Sequence, residues 1–366
     1  MSPPPTSTAE GSCISATLRR AMSRSRRWLF GLLGLALAWH ALRGVAWLEV
    51  WALLAGIGPL AILSIAAVNL LLLTLMTARW WLLLRTLGSP VGLLPLCAYR
   101  TAANAISYLT PGPHFGGEPL SIYLLNHRQE TSLSSASTSV IVDRLLELLA
   151  SFVVLSLSMG ILVLTENDIF AGSKGLFFVI AVLALFTWIL SALFTGRRPL
   201  SRSVFLLKRL CPFIPWTNGA LMEIIVRGET TAESVFRGNR HQFLFANLLS
   251  LAHWLGVFTE FWLMSLFLGF PLSLWHLTAV VVVARLAFFT PLPAGIGVLE
   301  SALPWVTATL GLGGTFGLSL CLIIRFRDLL FTLAGIGLAM KYLTCRRKAV
   351  IIKGTLAEPV SNDALK

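Results

Sequence analysis

Long apolar runs, separated by short polar segments, dominate the hydrophobic pattern of this 366-residue chain. A helix that crosses a bilayer needs about 20 predominantly apolar residues, and several runs reach this length. They lie near 28–47, 59–84, 132–164, 175–195, 242–268 and 315–340. Two further apolar segments, near 91–126 and 273–312, are interrupted in the middle. The pattern predicts an all-α polytopic membrane protein with about six full transmembrane helices.

The two interruptions, TPGPHFGG (110–117) and TPLPAGIG (290–297), combine prolines with glycines. Lipid offers the backbone no hydrogen-bond partner, so irregular structure survives in a membrane only where protein or water covers it. Proline ends a helix, and glycine permits a tight reversal of the chain. We therefore predict two re-entrant broken-helix hairpins, in which new half-helices begin at about Gly117 and Gly297. A proline-kinked ordinary span is the alternative interpretation.

The same order of elements occurs twice along the chain. Thr, Pro, Pro and Gly recur in the two interruptions at an offset of 180 residues (290 − 110). Each interruption follows an apolar span and precedes a charged one, VIVDRLLELL (140–149) or LIIRFRDLLF (322–331). We predict an inverted repeat with halves at about 59–164 and 242–340, an arrangement typical of transporters whose site lies near the membrane midplane.

Composition agrees with a membrane protein, since 56% of the residues are hydrophobic and only 12% are charged. A soluble domain has about 25% charged residues. The formal net charge is +13, and basic residues concentrate near the N-terminus, in the loop 197–241 and in the C-terminal tail. This distribution follows the positive-inside rule and argues against nucleic-acid binding. We predict a disordered basic tail (1–27), a transmembrane domain (28–343) and a cytoplasmic tail (344–366), with both termini cytoplasmic.

Arginines and tryptophans near the end of the second span give an expectation about its position in the membrane. The second span is expected to return to the cytoplasm at Arg79 and Arg85, and Trp80 and Trp81 are interpreted as anchors at the membrane interface.

The five cysteines form no CxxC pair and no zinc-site spacing with histidine. The sequence also contains no nucleophile–base arrangement, P-loop or dinucleotide-binding motif. We therefore expect no catalytic residue, no metal and no cofactor.

Charged residues also fall within the apolar segments. A charge at mid-membrane costs about 3 kcal/mol, so such residues usually face the protein interior or water. Arginine presents a planar fork that suits phosphate, and helix N-termini add unpaired N–H groups. We predict a lipid-head binding set of Arg100, Asn104, Gly116, Gly117, Glu118, Arg144, Arg285, Gly297, Glu300 and Arg325, and a polar track or coupling set of Asp143, Glu147, Glu260 and Asp328. Alternatively, the charges only form ion pairs between helices, and Glu118 and Glu300 either cap helices or carry protons.

Three motifs resemble those of a known family: NAISYLTPGPHFGGEP (104–119), VDRLLELL (142–149) and PLPAGIGVLE (291–300). They resemble the lysylphosphatidylglycerol synthase/flippase transmembrane family, the membrane half of bacterial multiple peptide resistance factors. The resemblance spans roughly 28–343 and implies lipid translocation across the cytoplasmic membrane. Full-length members also have a soluble aminoacyl-transferase domain, for which the tail 344–366 is too short. We therefore expect no synthase activity.

The function expected from the sequence is that of a flippase-like, multi-pass protein of the bacterial inner membrane. Its expected cargo is an anionic or isoprenoid/glycolipid head group. The expected partners are membrane lipids and no nucleic acid, while a homo-oligomer and a separate lipid-synthesising enzyme stay open as further partners. Two alternatives remain, an ion-coupled secondary transporter of a small anionic solute and an intramembrane lipid-modifying enzyme.

Overall fold

The computed structural model describes Trp39, Arg43 and residues 47–110, 116–164, 240–288, 290 and 292–355. Within these residues the chain is helical and contains no β-strand. Nearly all of the predicted span 28–47, the whole predicted span 175–195, most of the loop 197–241 and the residues 111–115 lie outside the described residues.

Nine α-helices and one short 3-10 helix make up the described part of the chain. In chain order the α-helices are α1 (Trp47–Ala55), α2 (Pro59–Thr86), α3 (Leu93–Leu109), α4 (Glu118–Arg128), α5 (Leu133–Leu164), α6 (Arg240–Phe267), α7 (Leu274–Phe288), α8 (Val298–Thr309) and α9 (Gly314–Thr355). The 3-10 helix, Pro293–Gly295, lies between α7 and α8. Helices α4 and α8 begin directly after Gly117 and Gly297, where the sequence predicts new helices. Helix α9 continues beyond the predicted end of its span at 340.

Three helical segments are long and apolar enough to cross a membrane: Pro59–Thr86 in α2, Leu133–Leu162 in α5 and His241–Phe267 in α6. Large apolar side chains point outward from them; Leu255, for example, is 62% exposed. Lipid tails are as apolar as leucine, so these surfaces are at no disadvantage in a bilayer. The described helices are those of a multi-pass membrane protein.

When α2, α3, α4 and α5 are matched in order with α6, α7, α8 and α9, most contacts between the helices occur in matching pairs. Helix α2 packs on α6, α3 packs on α9, and α7 packs on α5, while α4 lies against α5 and α8 against α9. Glycine permits two of these close approaches. A Cβ on Gly335 of α9 would lie 2.4 Å from the Thr101 carbonyl oxygen of α3, and one on Gly256 of α6 would lie 2.6 Å from Leu72 Cδ2 of α2. The first half of the chain is thereby packed tightly against the second.

Three buried apolar clusters among the described residues stabilise this arrangement. The largest contains Phe261 of α6 and Leu303 of α8, and the second contains Trp80 of α2 and Leu124 of α4. Trp80 is only 2% exposed, and its Nε1 donates to Ser139 Oγ at 3.2 Å. Its predicted role as an interface anchor is therefore wrong, because the indole satisfies its N–H group inside the protein.

Candidate functional site

Glycine sets the geometry at the start of α4, directly after the first interruption. Gly116 has a φ of 145°, and a Cβ on Gly117 would lie 2.0 Å from the Ala103 carbonyl oxygen. The Gly117 N–H donates to Ser107 Oγ at 2.9 Å, which joins the start of α4 to the last turns of α3. The backbones of the two helices therefore meet at a point where any larger side chain lacks room.

Glu118 occupies the first turn of α4 and pairs with an arginine of α5. Its Oε2 accepts a hydrogen bond from the Gly116 N–H at 2.7 Å, and its Oε1 lies 3.0 Å from Arg144 Nε. Arg144 also donates from Nη1 to Glu147 Oε2 at 2.9 Å. The carboxylate thus satisfies a backbone N–H at the start of α4 and holds this helix to α5.

Glu300 makes the corresponding contacts at the start of α8. It accepts a hydrogen bond from the Gly297 N–H at 2.7 Å, and its two oxygens lie 2.7 and 3.1 Å from the guanidinium of Arg325 in α9. Arg325 also donates to the Ala294 carbonyl oxygen at 2.7 Å and to Tyr108 Oη at 3.1 Å. Arg325 is therefore engaged by the chain itself and holds the second interruption against α9.

Arg79, Arg100 and Asp143 form a buried ion-pair group, called here the Asp143 cluster. Arg79 Nε lies 2.8 Å from Asp143 Oδ1, and Arg100 pairs with Oδ2 of the same carboxylate. Arg79 also donates from Nη1 to Ser250 Oγ of α6 at 3.0 Å. Arg79 is only 2% exposed, and α2 continues to Thr86. The prediction that Arg79 marks the cytoplasmic end of its span is therefore wrong.

Glu260, Arg327 and Asp328 form a second group, called here the Glu260 cluster. Arg327 pairs with Glu260 Oε1, and its Nε and Nη2 lie 3.0 and 2.7 Å from Asp328 Oδ1. Asn69 of α2 donates to Glu260 Oε1 at 2.8 Å. The cluster contains two carboxylates and a single arginine, so with all three groups ionised its net charge is −1.

A cavity of about 300 Å³ lies among α2, α3, α5, α6, α7 and α9. Its polar wall contains Asn69, Asn104, Tyr108, Arg144, Glu147, His253, Glu260, Arg285, Arg327 and Asp328. A smaller cavity of about 10 Å³ shares Asn104 and Arg144 with the first and is also lined by Arg100, Glu118 and Asp143. The smaller space is about the size that one water molecule requires.

Arg285 differs from the other arginines of the cavity wall because it has no ion pair to the described residues. Its guanidinium lies 5.1 Å from the centre of the Trp254 ring, and its buried Nε has no hydrogen-bond partner among those residues. The guanidinium of Arg100 in α3 lies 5.4 Å from the centre of the Trp80 ring, but Arg100 also pairs with Asp143. A guanidinium without a carboxylate partner in a cavity wall can bind phosphate through its planar fork.

The structure brings only part of the predicted residue set to the cavities. The large cavity is lined by Asn104, Arg144, Glu147, Glu260, Arg285 and Asp328, and the small one by Arg100, Asn104, Glu118, Asp143 and Arg144. Gly116, Gly117, Gly297, Glu300 and Arg325 line neither. Sequence reasoning missed Asn69, Trp254 and Arg327 in the wall of the large cavity. It also missed Arg79, which lines neither cavity but pairs with Asp143. Asn69 and Arg79 are single polar residues inside a long apolar run, which is the signal that identifies the other candidates.

Fold and site together define a multi-pass helical membrane protein with a charged internal cavity. A family model described as Lysylphosphatidylglycerol synthase TM region matches residues 27–335, and the chain therefore belongs to this family. A UPF0104 membrane protein from Methanothermobacter thermautotrophicus is 34% identical over 86 residues, which are 24% of this chain and 25% of that protein. The match thus spans about a quarter of the relative. No solved structure matches the chain significantly.

Proposed function

We propose that this protein is a lipid flippase-like translocator that moves a phosphate-bearing head group across the cytoplasmic membrane. The proposal depends on Arg285, an arginine without an ion-pair partner among the described residues that lines a charged cavity inside an apolar helical protein. The head group belongs to a phospholipid, or to an isoprenoid lipid or glycolipid with an anionic group. It passes through the cavity while the acyl or isoprenoid tails stay in the surrounding lipid.

The translocation path lies between two halves that form an inverted repeat, with α3–α4 and α7–α8 as re-entrant hairpins. The corresponding helix contacts support this architecture, as do the similar roles of Glu118 and Glu300 at the starts of α4 and α8. These two helices have 11 and 12 residues. At 1.5 Å per residue they are about 17 and 18 Å long, well short of the ~30 Å hydrocarbon core.

The arginines divide into two roles in this proposal. Arg325 holds the second hairpin through Glu300, so it contributes to the architecture rather than to head-group binding. Arg285 binds the phosphate, and Arg144 provides a second cation in the same wall while it remains paired with Glu147. This division follows from hydrogen-bond capacity, because a guanidinium that already donates to a carboxylate and to carbonyl groups has few donors left.

The basic loops favour an orientation with both termini and the loop 197–241 on the cytoplasmic side of the inner membrane. The loop 165–173 contains Glu166 and Asp168 and no basic residue, so it is expected on the opposite side. Single cysteines at positions 168 and 205 test this orientation in intact cells. An impermeant thiol reagent should label position 168 and not position 205. The reverse labelling pattern would contradict the orientation.

Reconstitution into liposomes tests the proposed function directly. Phospholipids labelled on the acyl chain are incorporated, a membrane-impermeant reductant bleaches the outer leaflet, and the rate at which inner-leaflet label becomes accessible is measured. Arg285→Gln should lower this rate roughly ten-fold or more, because a hydrogen bond to a charged group contributes about 1.5–3 kcal/mol. Arg285→Lys keeps the charge but loses the planar fork, so its rate should fall between those of the unchanged protein and Arg285→Gln.

Arg85→Gln is the matched control, because Arg85 is exposed near the end of α2 and stacks on Trp81 at 4.0 Å outside the cavity. Its rate should equal that of the unchanged protein. Normal lipid movement in Arg285→Gln would refute the role of this residue. Liposomes that take up inorganic phosphate but move no lipid would instead support a secondary transporter of small anions.

A further inference from the structure

Several buried polar atoms of the residues that line the large cavity have no hydrogen-bond partner among the described residues. They are the acceptors Glu260 Oε2 and Asp328 Oδ2, the donor Arg285 Nε, and His253 Nδ1. A buried polar atom without a partner is costly, and more so when it belongs to a charged group. Because these residues line one cavity, a ligand in that cavity lies beside the side chains that carry these atoms.

Charge in the cavity wall is separated into two places. With all groups ionised the Glu260 cluster has a net charge of −1, while Arg285 has a charge of +1 and no ion pair to the described residues. Arg144 and Glu147, which lie 2.9 Å apart, balance each other. The wall is therefore neutral as a whole, yet it presents an acceptor-rich negative site and a separate positive site.

We propose that the lipid head group is zwitterionic, with a phosphate on Arg285 and a primary ammonium on the free oxygens of Glu260 and Asp328. Phosphoethanolamine has this chemistry. An ammonium has three N–H donors, enough for both carboxylate oxygens, and hydrogen bonds between ionised partners are the stronger kind. The inference rests on the proposed function, because it names the cargo of the same cavity, and it replaces the anionic head group that the sequence predicts.

The same atoms discriminate against two other common phospholipids. The quaternary ammonium of phosphocholine has no N–H, so both carboxylate oxygens stay without a donor. The glycerol of phosphatidylglycerol provides hydroxyl donors, but it leaves the −1 charge of the Glu260 cluster without a counter-charge. Only a head group with a cationic donor at one end and a phosphate at the other satisfies both sites.

Binding is measured on the purified full chain with dihexanoyl phosphatidylethanolamine, phosphatidylglycerol and phosphatidylcholine, from the melting temperature as a function of lipid concentration. Phosphatidylethanolamine should bind roughly ten-fold more tightly than either of the others, since one hydrogen bond between charged groups changes affinity by about that factor. This comparison uses the unchanged protein, so it does not depend on the folding of any variant.

Amide substitutions then test whether Glu260 and Asp328 cause the preference for phosphatidylethanolamine. Glu260→Gln and Asp328→Asn can each keep the oxygen that accepts from Arg327 and replace only the oxygen without a partner by an NH₂ group. Together they should reduce the affinity for phosphatidylethanolamine roughly ten-fold, and they should not weaken the binding of phosphatidylglycerol, because they remove the −1 charge that disfavours this lipid. Glu49→Gln, an exposed carboxylate on α1, is the control and should change neither affinity.

The outcomes separate this inference from the proposed function. Equal binding of the three lipids, tighter binding of phosphatidylglycerol, or an unchanged preference in the amide variants would overturn the zwitterionic head group. Each of these results leaves lipid translocation in the liposome assay untouched. If none of the three lipids binds and none moves in liposomes, a phospholipid cargo itself is refuted.

Discussion

Replacing Gly335 with alanine should push α9 away from α3. The added Cβ would lie 2.4 Å from the Thr101 carbonyl oxygen and 2.6 Å from Ala105 Cβ, both closer than real side-chain contacts allow. Neither neighbour can rotate out of the way, because one atom is backbone and the other is fixed to it. The helices must therefore separate along a contact that joins the two halves of the protein.

The magnitude can be worked out from two opposing effects. Forcing an extra methyl group into a packed interface costs about 1–3 kcal/mol. Alanine is better than glycine in a helix interior by about 0.5–1 kcal/mol, which offsets part of this cost. Gly337 lies two residues further along α9 and has nothing within 4 Å of its added Cβ. Gly337→Ala should therefore show the helix gain alone, and the two variants should differ by about 1–3 kcal/mol.

Denaturant unfolding in detergent measures this difference, with the helix signal followed by circular dichroism. Because both substitutions are Gly→Ala in one helix, unfolded-state effects largely cancel between them. Gly335→Ala should also slow lipid movement in liposomes, since α3 and α9 both line the cavity. Equal stability of the two variants would show that α3 and α9 do not approach as closely as the structure places them.

Two further predictions concern the buried charges and the interruptions. Asp143→Asn should lower the free energy of unfolding by about 3–5 kcal/mol, because Arg79 and Arg100 would lose the carboxylate that they share; a denaturant titration that shows less than 1 kcal/mol would contradict this. Single cysteines at the non-glycine positions of 110–117 and 290–297 should react with small water-soluble thiol reagents if the interruptions line a hydrated path, whereas full protection of both segments would favour kinked spans embedded in lipid.

The sequence predicts the helix breaks better than it predicts the partners of the charges. Proline and glycine act locally, so the helix starts at Gly117 and Gly297 can be read from a few residues. Pairing depends instead on how each helix is rotated and which neighbours it meets. The sequence could not show that Arg325 is engaged by Glu300 while Arg285 lacks a carboxylate partner among the described residues.

Arg79 shows a different limit of sequence reasoning. A basic residue near the end of an apolar run usually marks the membrane surface, and the positive-inside rule favours that placement. Five apolar residues, Trp80 to Leu84, follow Arg79 before Arg85, which is more than one further helical turn. Their presence indicates that Arg79 still lies inside the span, but only the proximity of α5 identifies Asp143 as its partner.

Stability alone does not account for the charges in this protein. A buried ion pair is often no more stabilising than apolar residues of the same volume, so the Asp143 cluster by itself gives no net advantage over a leucine core. The Glu260 cluster is less favourable still, because Glu260 Oε2 and Asp328 Oδ2 are buried and have no hydrogen-bond partner among the described residues. These atoms, like Arg285 Nε, belong to residues of the cavity wall. Buried groups without partners destabilise the protein, so helix packing alone does not explain them, and they support the proposed passage of a head group.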